Sequence, residues 1–299
     1  MGRETIARAN TLIHSARDAN RVRRIDLHTH STASDGTDVP ANVARLAARA
    51  GLAAFALTDH DTLAGIPDAR AAAEDAGVEL VVGVELSARV PHGEMHVLGY
   101  LVAEDHPGFR ARLAELRDSR RLRAHRIVER LQHLGLAITD ADVAAQVGDA
   151  SPGRPHVAHA LVAKGLARDV QQAFDLWLGR GKPAHVARDD LSPGECVGLV
   201  QKAGGVAVLA HPSTLPRDAL GAAVADLARR GLAGIEVEHP RNDEALRGEL
   251  HALAKEHDLV ATGGSDYHGR TKPGVEIGTG LGGNVSVAYE ALEALRERA

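Results

Sequence analysis

Short apolar runs alternate with longer segments of helical periodicity along most of the chain. The runs at 53–57 and 206–210 are apolar throughout and bounded by turn residues, as expected for buried strands. Between such runs, apolar residues recur every three or four positions, and proline and glycine mark helix ends, as at Pro40 and Gly51. The pattern predicts seven strands, most followed by a helix, at 25–30, 53–57, 79–84, 95–101, 206–210, 235–237 and 259–262.

The alternation of strand and helix is interrupted between 104 and 190. Helical periodicity continues there without an intervening strand, with glycines separating segments at 107–134, 140–147, 155–164 and 170–178. We therefore predict an α/β barrel domain formed by 22–103 and 191–299, with an all-helical insertion at 104–190. The polar stretch at 1–21 is a separate leader, and it lacks the apolar middle of a secretory signal.

Composition agrees with this architecture and excludes several classes of protein. The chain has 299 residues, 44% of them hydrophobic and 25% charged, which fits one large globular domain with an insertion. Only 2% are aromatic, so alanine, valine, leucine and isoleucine must build the core, as in a buried parallel sheet covered by helices. The net charge of −5 argues against binding long duplex nucleic acid through bulk charge.

The single cysteine, Cys196, excludes intramolecular disulfides and cysteine-based zinc sites, and it agrees with a reducing compartment. No run is long and apolar enough to span a membrane. We therefore expect a cytoplasmic protein without a membrane partner. The sequence leaves the oligomeric state open.

Candidate chemistry lies at the ends of the predicted strands. His28 and His30 flank Thr29 at the end of the first strand, and alternation places both imidazoles on one side. The chain has 17 histidines, and several follow later strands, whose ends meet on one face of a (β/α) barrel. A core histidine or a turn residue is the alternative for single members such as His96 or Asp35. The candidate metal ligands are His28, His30, Asp35, His60, Glu85, His96, His211, Asp266 and His268.

Nine ligands are too many for one cation and suit two or three cations that share bridging carboxylates. A shell of imidazoles and carboxylates without thiolate suits manganese, iron or zinc better than magnesium. We expect two or three divalent metal ions, with manganese as the first choice and iron or zinc as alternatives.

The candidate ligands lie in short motifs: His28-Thr29-His30-Ser31, Ser34-Asp35-Gly36, Thr58-Asp59-His60-Asp61, Gly83-Val84-Glu85, His96-Val97-Leu98-Gly99-Tyr100, Leu209-Ala210-His211-Pro212 and Gly264-Ser265-Asp266-Tyr267-His268. These motifs resemble those of the PHP (polymerase and histidinol phosphatase) domain, and the resemblance extends from about 22 to 280. In the insertion, Gly153-Arg154-Pro155-His156 and the segment at 179–183 are similar to the branch of 3′,5′-nucleoside bisphosphate phosphatases and 5′-to-3′ exoribonucleases. The resemblance implies a distorted (β/α)7 barrel with a two- or three-metal centre, usually of manganese.

Two departures from the family pattern are visible. Ser213-Thr214 stands where family members often have glycine after His-Pro, and Glu238-His239-Pro240 replaces a more usual Tyr-His-Pro. Neither removes a candidate ligand, and both could alter the substrate rim.

The expected reaction is phosphate-ester hydrolysis. We hypothesise that a hydroxide bridging two metals attacks phosphorus in line, while a third metal, held by Asp35, His60 and His268, binds a phosphoryl oxygen. His239 is a candidate general acid at the rim, and a surface turn residue is its alternative reading. Asp59 is expected to orient an imidazole as a supporting carboxylate.

Substrate selection is expected from the insertion. Arg154 and His156 open a predicted helix, whose N-terminus favours an anion, and Lys182 could add a point charge. Arg120 and Arg123 are further candidate phosphate contacts. The alternative is that the first three are capping and loop residues, and that the arginine-rich helix presents a solvated face.

These observations favour a metal-dependent phosphoesterase that acts on a small nucleotide with phosphates at both ends, or on the 5′ end of a short RNA. One alternative is a phosphatase or cyclic phosphodiesterase for another small metabolite, such as histidinol phosphate or a sugar phosphate. Another is a PHP module that has lost catalysis and serves in binding or structure.

Overall fold

The computed structural model describes residues 23–91, 94–147, 150–187 and 191–299. The predicted leader at 1–21 lies outside the described residues. The seven predicted strands are all present, and most helices lie where the periodicity placed them; the helices at 66–76 and 140–147 agree to the residue. The strands are β1 (Arg24–Thr29), β2 (Ala54–Leu57), β3 (Glu79–Ala88), β4 (Met95–Tyr100), β5 (Val206–Ala210), β6 (Gly234–Glu238) and β7 (Val260–Gly263), followed by the short β8 (Val275–Glu276), β9 (Gly280–Leu281) and β10 (Val287–Ala288).

The helices cover the sheet and fill the insertion. Short 3-10 turns follow β5 and β7, at Pro212–Thr214 and Gly269–Thr271. No helix among the described residues combines the length and the apolar character needed to cross a membrane. The helices are α1 (Pro40–Arg49), α2 (Ile66–Ala76), α3 (Pro107–His133), α4 (Asp140–Val147), α5 (Arg154–Ala163), α6 (Val170–Ala173), α7 (Pro193–Lys202), α8 (Arg217–Arg229), α9 (Glu244–Glu256) and α10 (Glu290–Arg296).

The sheet has the strand order β10-β1-β2-β3-β4-β5-β6-β7 and curves into a nearly closed barrel. A parallel bridge between Thr29 and Tyr267 joins the end of β1 to the segment after β7. Strands β1 to β3 are parallel, as are β5 to β7, but β4 runs antiparallel to both of its neighbours. The expectation of parallel strands is wrong for β4, because the link from β3 is too short to hold a crossover helix.

Reversal of β4 keeps its candidate ligand at the functional end. His96 lies near the start of β4 and pairs with Ser87 on β3 and Ala210 on β5, close to the ends of both strands. The first residues of β4 therefore meet the last residues of its neighbours.

The helix α3 is shared between the barrel and the insertion. Near its start, Phe109, Leu113 and Leu116 pack into the apolar core of β3 to β6 and their covering helices. Farther along, Ile127 and Leu131 belong to a separate apolar core with α4 to α6. The insertion is thereby anchored to the barrel along one continuous helix.

Two predicted helices differ from the observed elements. The predicted helix at 170–178 is α6 followed by a π-helical turn at Phe174–Leu178. The predicted helix near 287–298 begins later, because Val287 and Ala288 pair antiparallel with β1 before α10 starts at Glu290. Val287 fits the apolar spacing of the predicted helix, but it pairs with Ile25 at the edge of the sheet.

Candidate metal centre

Nine candidate ligands meet at one end of the barrel, although the sequence spreads them over 241 positions from His28 to His268. The ends of β1, β2, β3 and β5, the start of β4 and the loop after β7 each contribute. Most of these side chains are buried, and only Asp35, His60 and His96 are partly exposed. The site is therefore largely enclosed, and two of its partly exposed members, His96 and Asp35, line cavities that residues of the insertion also line.

Glu85 lies at the centre of this floor. Its Oε1 is 2.6 Å from His96 Nδ1 and 2.9 Å from His211 Nε2. Its Oε2 is 3.0 Å from His30 Nε2 and 3.3 Å from both His28 Nε2 and His60 Nδ1. One carboxylate therefore faces five imidazoles, and it belongs to two of the groups of side chains that could hold a metal ion.

The His28 and His30 pair faces a second carboxylate. Their Nε2 atoms are 3.1 Å apart, and Asp266 Oδ1 lies 3.5 Å from the first and 3.7 Å from the second. His268 stacks on His30 with ring centroids 4.0 Å apart. Its Nε2 lies 3.2 Å from Asp35 Oδ1, which extends the cluster toward the loop after β1.

The side chains fit divalent metal ions. Among the described residues, their ligand atoms form overlapping groups in which all atoms lie within 4.8 Å of one another. Within the part of the chain that the structure describes, His60 Nδ1 is buried without a hydrogen-bond partner, and the Nε2 atoms of His28 and His30 lie close to each other. The groups are His30, Asp35, His60 and His268; His28, Glu85 and His211; His28, His30 and Asp266; and His60, Glu85 and His96.

Charge complementarity appears in the pKa values. Burial opposes ionisation of Glu85, but His60, His96 and His28 hold its pKa well below the usual range. Burial likewise opposes protonation of His28, but Glu236, Asp266 and Glu85 raise its pKa well above the usual value. The carboxylates stay ionised and supply negative charge for cations.

Two supporting carboxylates were missed in the sequence. Glu236 on β6 is fully buried; it lies 3.0 Å from His28 Nδ1 and accepts a 2.6 Å hydrogen bond from the backbone N–H of His211. Asp26 accepts from the backbone N–H of His28, Ser265 and Gly278. The available signal was an acidic residue inside each apolar run, where an unpaired carboxylate is costly.

The backbone is strained where the centre is built. Asp61, His211 and Asp266 adopt positive φ angles of 54°, 25° and 53°. Such conformations are uncommon outside glycine and concentrate at functional sites. Gly264 meets a different demand, because a Cβ there would lie 2.4 Å from the Cβ of His28.

The two side chains with predicted catalytic roles, His239 and Asp59, make different contacts from those expected. His239 is buried, with Nε2 3.2 Å from Asp266 Oδ2 and Nδ1 accepting from the backbone N–H of Arg241. It is therefore neither a surface turn residue nor a rim residue, and the geometry fits a role in positioning Asp266. Asp59 accepts hydrogen bonds from Ser31 and Ser34 instead of orienting an imidazole directly.

Arg120 links α3 to the barrel beside the centre. Its Nε pairs with the buried Asp61, which follows His60, and its Nη2 donates to Ser87 Oγ at 3.0 Å. Lys272, which sequence reasoning missed, pairs with Asp266. Both basic side chains therefore pair with carboxylates at the centre: Asp61 lies next to the candidate ligand His60 in the sequence, and Asp266 is itself a candidate ligand.

A cavity of about 520 Å³ opens beside His96 and is rich in arginine. We call it the arginine pocket; it is lined in part by Arg89, Glu94, His96, Arg123, Arg154 and Arg180. Two of the predicted substrate contacts lie here: Arg154 pairs with Glu94, and Arg123 donates to the backbone oxygen of Val186. Arg180 was missed, and it donates to the backbone oxygen of Pro91.

The other three predicted substrate contacts, Arg120, His156 and Lys182, do not line the arginine pocket. His156 is buried, and its Nδ1 accepts from the backbone N–H of Gly153, so it caps α5 as its alternative reading expected. Lys182 is exposed on the turn after Arg180 and does not line the pocket. The structure thus gives neither His156 nor Lys182 a place beside Arg154.

Comparison with known proteins agrees with this geometry. A profile of the PHP domain matches residues 26–116. A 5′-3′ exoribonuclease of Haemophilus influenzae is 34% identical over 248 residues, covering 82% of this chain and 90% of the relative. The chain belongs to the PHP family. A second member, a 3′,5′-nucleoside bisphosphate phosphatase of Chromobacterium violaceum, is 34% identical to this chain, over 85% of this chain and 90% of its own length.

Other similar proteins extend the range of activities. A phosphoribosyl 1,2-cyclic phosphate 1,2-diphosphodiesterase of Eggerthella lenta is 35% identical over 82% of this chain and 94% of its own. A solved structure from Bifidobacterium adolescentis, assigned as a metal-dependent phosphoesterase, has a TM-score of 0.81 and 34% identity, over 92% of this chain and 96% of the other. The predicted PHP family, the barrel fold and the assignment as a metal-dependent phosphoric ester hydrolase are confirmed.

Proposed function

We propose that this PHP-family phosphoesterase removes the 3′-phosphate from nucleoside 3′,5′-bisphosphates, yielding 5′-monophosphates, and releases nucleotides from the 5′ end of short RNA. The observation that carries the proposal is the arginine pocket, which adjoins the candidate metal centre at His96. A substrate with a second phosphate near the reacting one matches this arrangement. Relatives named for both activities support the same choice.

The nine strand-end side chains would hold two or three divalent ions, with manganese as first choice and iron or zinc as alternatives. Such ions would supply an activated water and neutralise charge on the phosphoryl group. Glu236 would fix the orientation and tautomer of His28, because its carboxylate lies within hydrogen-bond distance of Nδ1, the ring nitrogen that faces away from the cluster. His239 would hold Asp266 in place in the same way.

The arginine pocket would bind the 5′-phosphate. Arg154 is only slightly exposed and is paired with Glu94, so an incoming phosphate would compete with that carboxylate for the guanidinium. Guanidinium groups suit phosphate because they donate two parallel hydrogen bonds. We propose on this basis that 104–190 acts as a substrate cap over the barrel formed by 22–103 and 191–299.

A phosphate-release panel joined to elemental analysis tests the proposal. The panel compares adenosine 3′,5′-bisphosphate with AMP, histidinol phosphate, cyclic phosphates and 5′-phosphorylated oligoribonucleotides. We expect turnover of the bisphosphate and the oligoribonucleotides with about two or three bound metal ions per chain. Turnover of only histidinol phosphate or a sugar phosphate would contradict the substrate assignment.

A cyclic phosphodiesterase is the second candidate, favoured by the similarity to the Eggerthella lenta enzyme. It would be preferred if a cyclic phosphate proved the better substrate in the same panel. A non-catalytic module is disfavoured because all nine candidate ligands lie in groups that could hold a metal ion. Fewer than about two bound metal ions per chain would favour it again. Cytoplasmic location stays a prediction.

A further inference from the structure

A second cavity lies at the other end of the candidate metal centre. It has a volume of about 620 Å³ and includes Asp35, so we call it the Asp35 cavity. It shares no lining residue with the arginine pocket. The first turn of α5 lies between the two cavities, because Arg154 lines the arginine pocket while Pro155 and His156 line the Asp35 cavity.

The lining of the Asp35 cavity is polar and has hydrogen-bonding capacity. His159 lies one turn after His156 on α5, and its Nε2 is buried with no hydrogen-bond partner among the described residues. Arg270 is an exposed member of the lining, and Thr37 and Gln146 add a hydroxyl and an amide. An aromatic imidazole, an amide and a guanidinium suit a nucleoside joined to a phosphate.

We propose that the Asp35 cavity binds the nucleoside on the 3′ side of the scissile phosphate when the substrate is RNA. The inference rests on the proposed function and names the part of the site that a bisphosphate leaves unused. The volume lies within the range of about 300–1,000 Å³ that is usual for small-molecule sites. A single nucleotide therefore has room there while the 5′-phosphate occupies the arginine pocket.

The same bond breaks in both substrates. The oxygen of water bonds to phosphorus, the bond from phosphorus to the 3′-oxygen of the first nucleoside breaks, and that oxygen takes a proton. In a bisphosphate, the phosphorus leaves as inorganic phosphate. In RNA, it stays on the 5′-oxygen of the next nucleoside, which needs a cavity of its own. The shortened RNA again carries a 5′-monophosphate and fits the arginine pocket for another cycle.

Substitutions in the Asp35 cavity test this assignment. We expect His159→Gln and Arg270→Ala each to lower kcat/KM for a 5′-phosphorylated dinucleotide about tenfold more than for adenosine 3′,5′-bisphosphate, the effect of one lost polar contact. Arg180→Ala, in the arginine pocket, is the matched control and should affect both substrates alike. Equal effects of the two Asp35-cavity variants on both substrates would overturn the inference.

Photocrosslinking gives a readout that is independent of turnover. The probe is a 5′-phosphorylated dinucleotide with 4-thiouridine in the second position and a methylene group in place of the scissile 3′-oxygen. We expect crosslinks to peptides that contain 155–159 or 270–271, and crosslinks confined to 89–91 and 180–187 would overturn the inference. If wild type hydrolyses the bisphosphate but no dinucleotide, this inference and the RNA part of the proposed function fail, while the bisphosphate part stands. If it hydrolyses neither, the whole proposed function fails.

Discussion

The barrel end and the arginine pocket hold their charged groups in different ways. At the barrel end, His28 is fully buried, and its two ring nitrogens face Glu236 on one side and the cluster on the other. In the arginine pocket, Arg180 is exposed and donates to a backbone oxygen of a neighbouring loop. The barrel end therefore holds its charged groups through buried, mutually supporting contacts, whereas residues of the proposed substrate pocket such as Arg180 can change at low structural cost.

Replacing the central carboxylate should have the largest effect. Glu85→Gln removes the charge that faces five imidazoles, so we expect loss of bound metal and a fall in kcat of more than about a hundredfold, beyond what outer partners usually cause. Elemental analysis and kinetics measure both. Glu79→Gln, on the same strand but paired with Arg296 and Tyr289, is the control and should keep its metal. Retained metal in Glu85→Gln would break the assignment.

The supporting carboxylate on β6 should have the next largest effect. Glu236→Gln is expected to weaken metal affinity about 10- to 100-fold, as outer partners of ligating histidines usually do. Because the Glu236 charge raises the pKa of His28, the variant should show a lower His28 pKa in the metal-free protein. Metal titration and NMR titration measure these changes.

A control for Glu236 lies on the same strand. Glu238 pairs with Arg247 at 2.8 Å, away from the ligand nitrogens, so Glu238→Gln should leave metal affinity within about twofold. If Glu236→Gln and Glu238→Gln lost the same metal affinity, loss of any negative charge on β6 would weaken metal binding. The contact between Glu236 and His28 would then have no specific role.

Arg154 should have a moderate effect that depends on the substrate. Arg154→Ala is expected to raise KM for adenosine 3′,5′-bisphosphate about tenfold, equivalent to one charged hydrogen bond, with a smaller change for adenosine 3′-monophosphate. Arg121→Ala, on the exposed face of α3 beside Asp118, is the control. A similar rise in KM for both substrates would show that Arg154 does not bind the 5′-phosphate.

The sequence predicted which side chains meet in the candidate metal centre, because each strand end gives two signs in the sequence. A short apolar run ends, and a ligand-type residue such as Glu85 or His211 follows at once; the barrel then brings these ends together. Glu236 was not predicted because it lies inside its strand and not after it. The available signal was an acidic residue within an apolar run. The reversal of β4 follows from the short connection between β3 and β4. The pattern of apolar runs predicts where strands lie but not the direction in which they run.

The arrangement of the insertion was less accessible from sequence. Its helices were predicted from their periodicity, but which of the many arginines on α3 face the barrel depends on how the helices pack. Arg120 is drawn to Asp61, whereas Arg121 next to it pairs with Asp118 on the exposed face. A pattern of charges alone favours a solvated helix for both residues.

Lys182 and Arg180 give the smallest expected effect and a sharp test of the pocket boundary. The two residues are two positions apart in one turn, and only Arg180 lines the arginine pocket. Lys182→Ala should therefore change KM for the bisphosphate by less than about twofold, as for an exposed charge outside the site, whereas Arg180→Ala should raise it about fivefold or more. Steady-state kinetics on the bisphosphate measures both. If Lys182→Ala had the larger effect, the turn would have to close over bound substrate, and the pocket boundary drawn from Arg180 would be wrong.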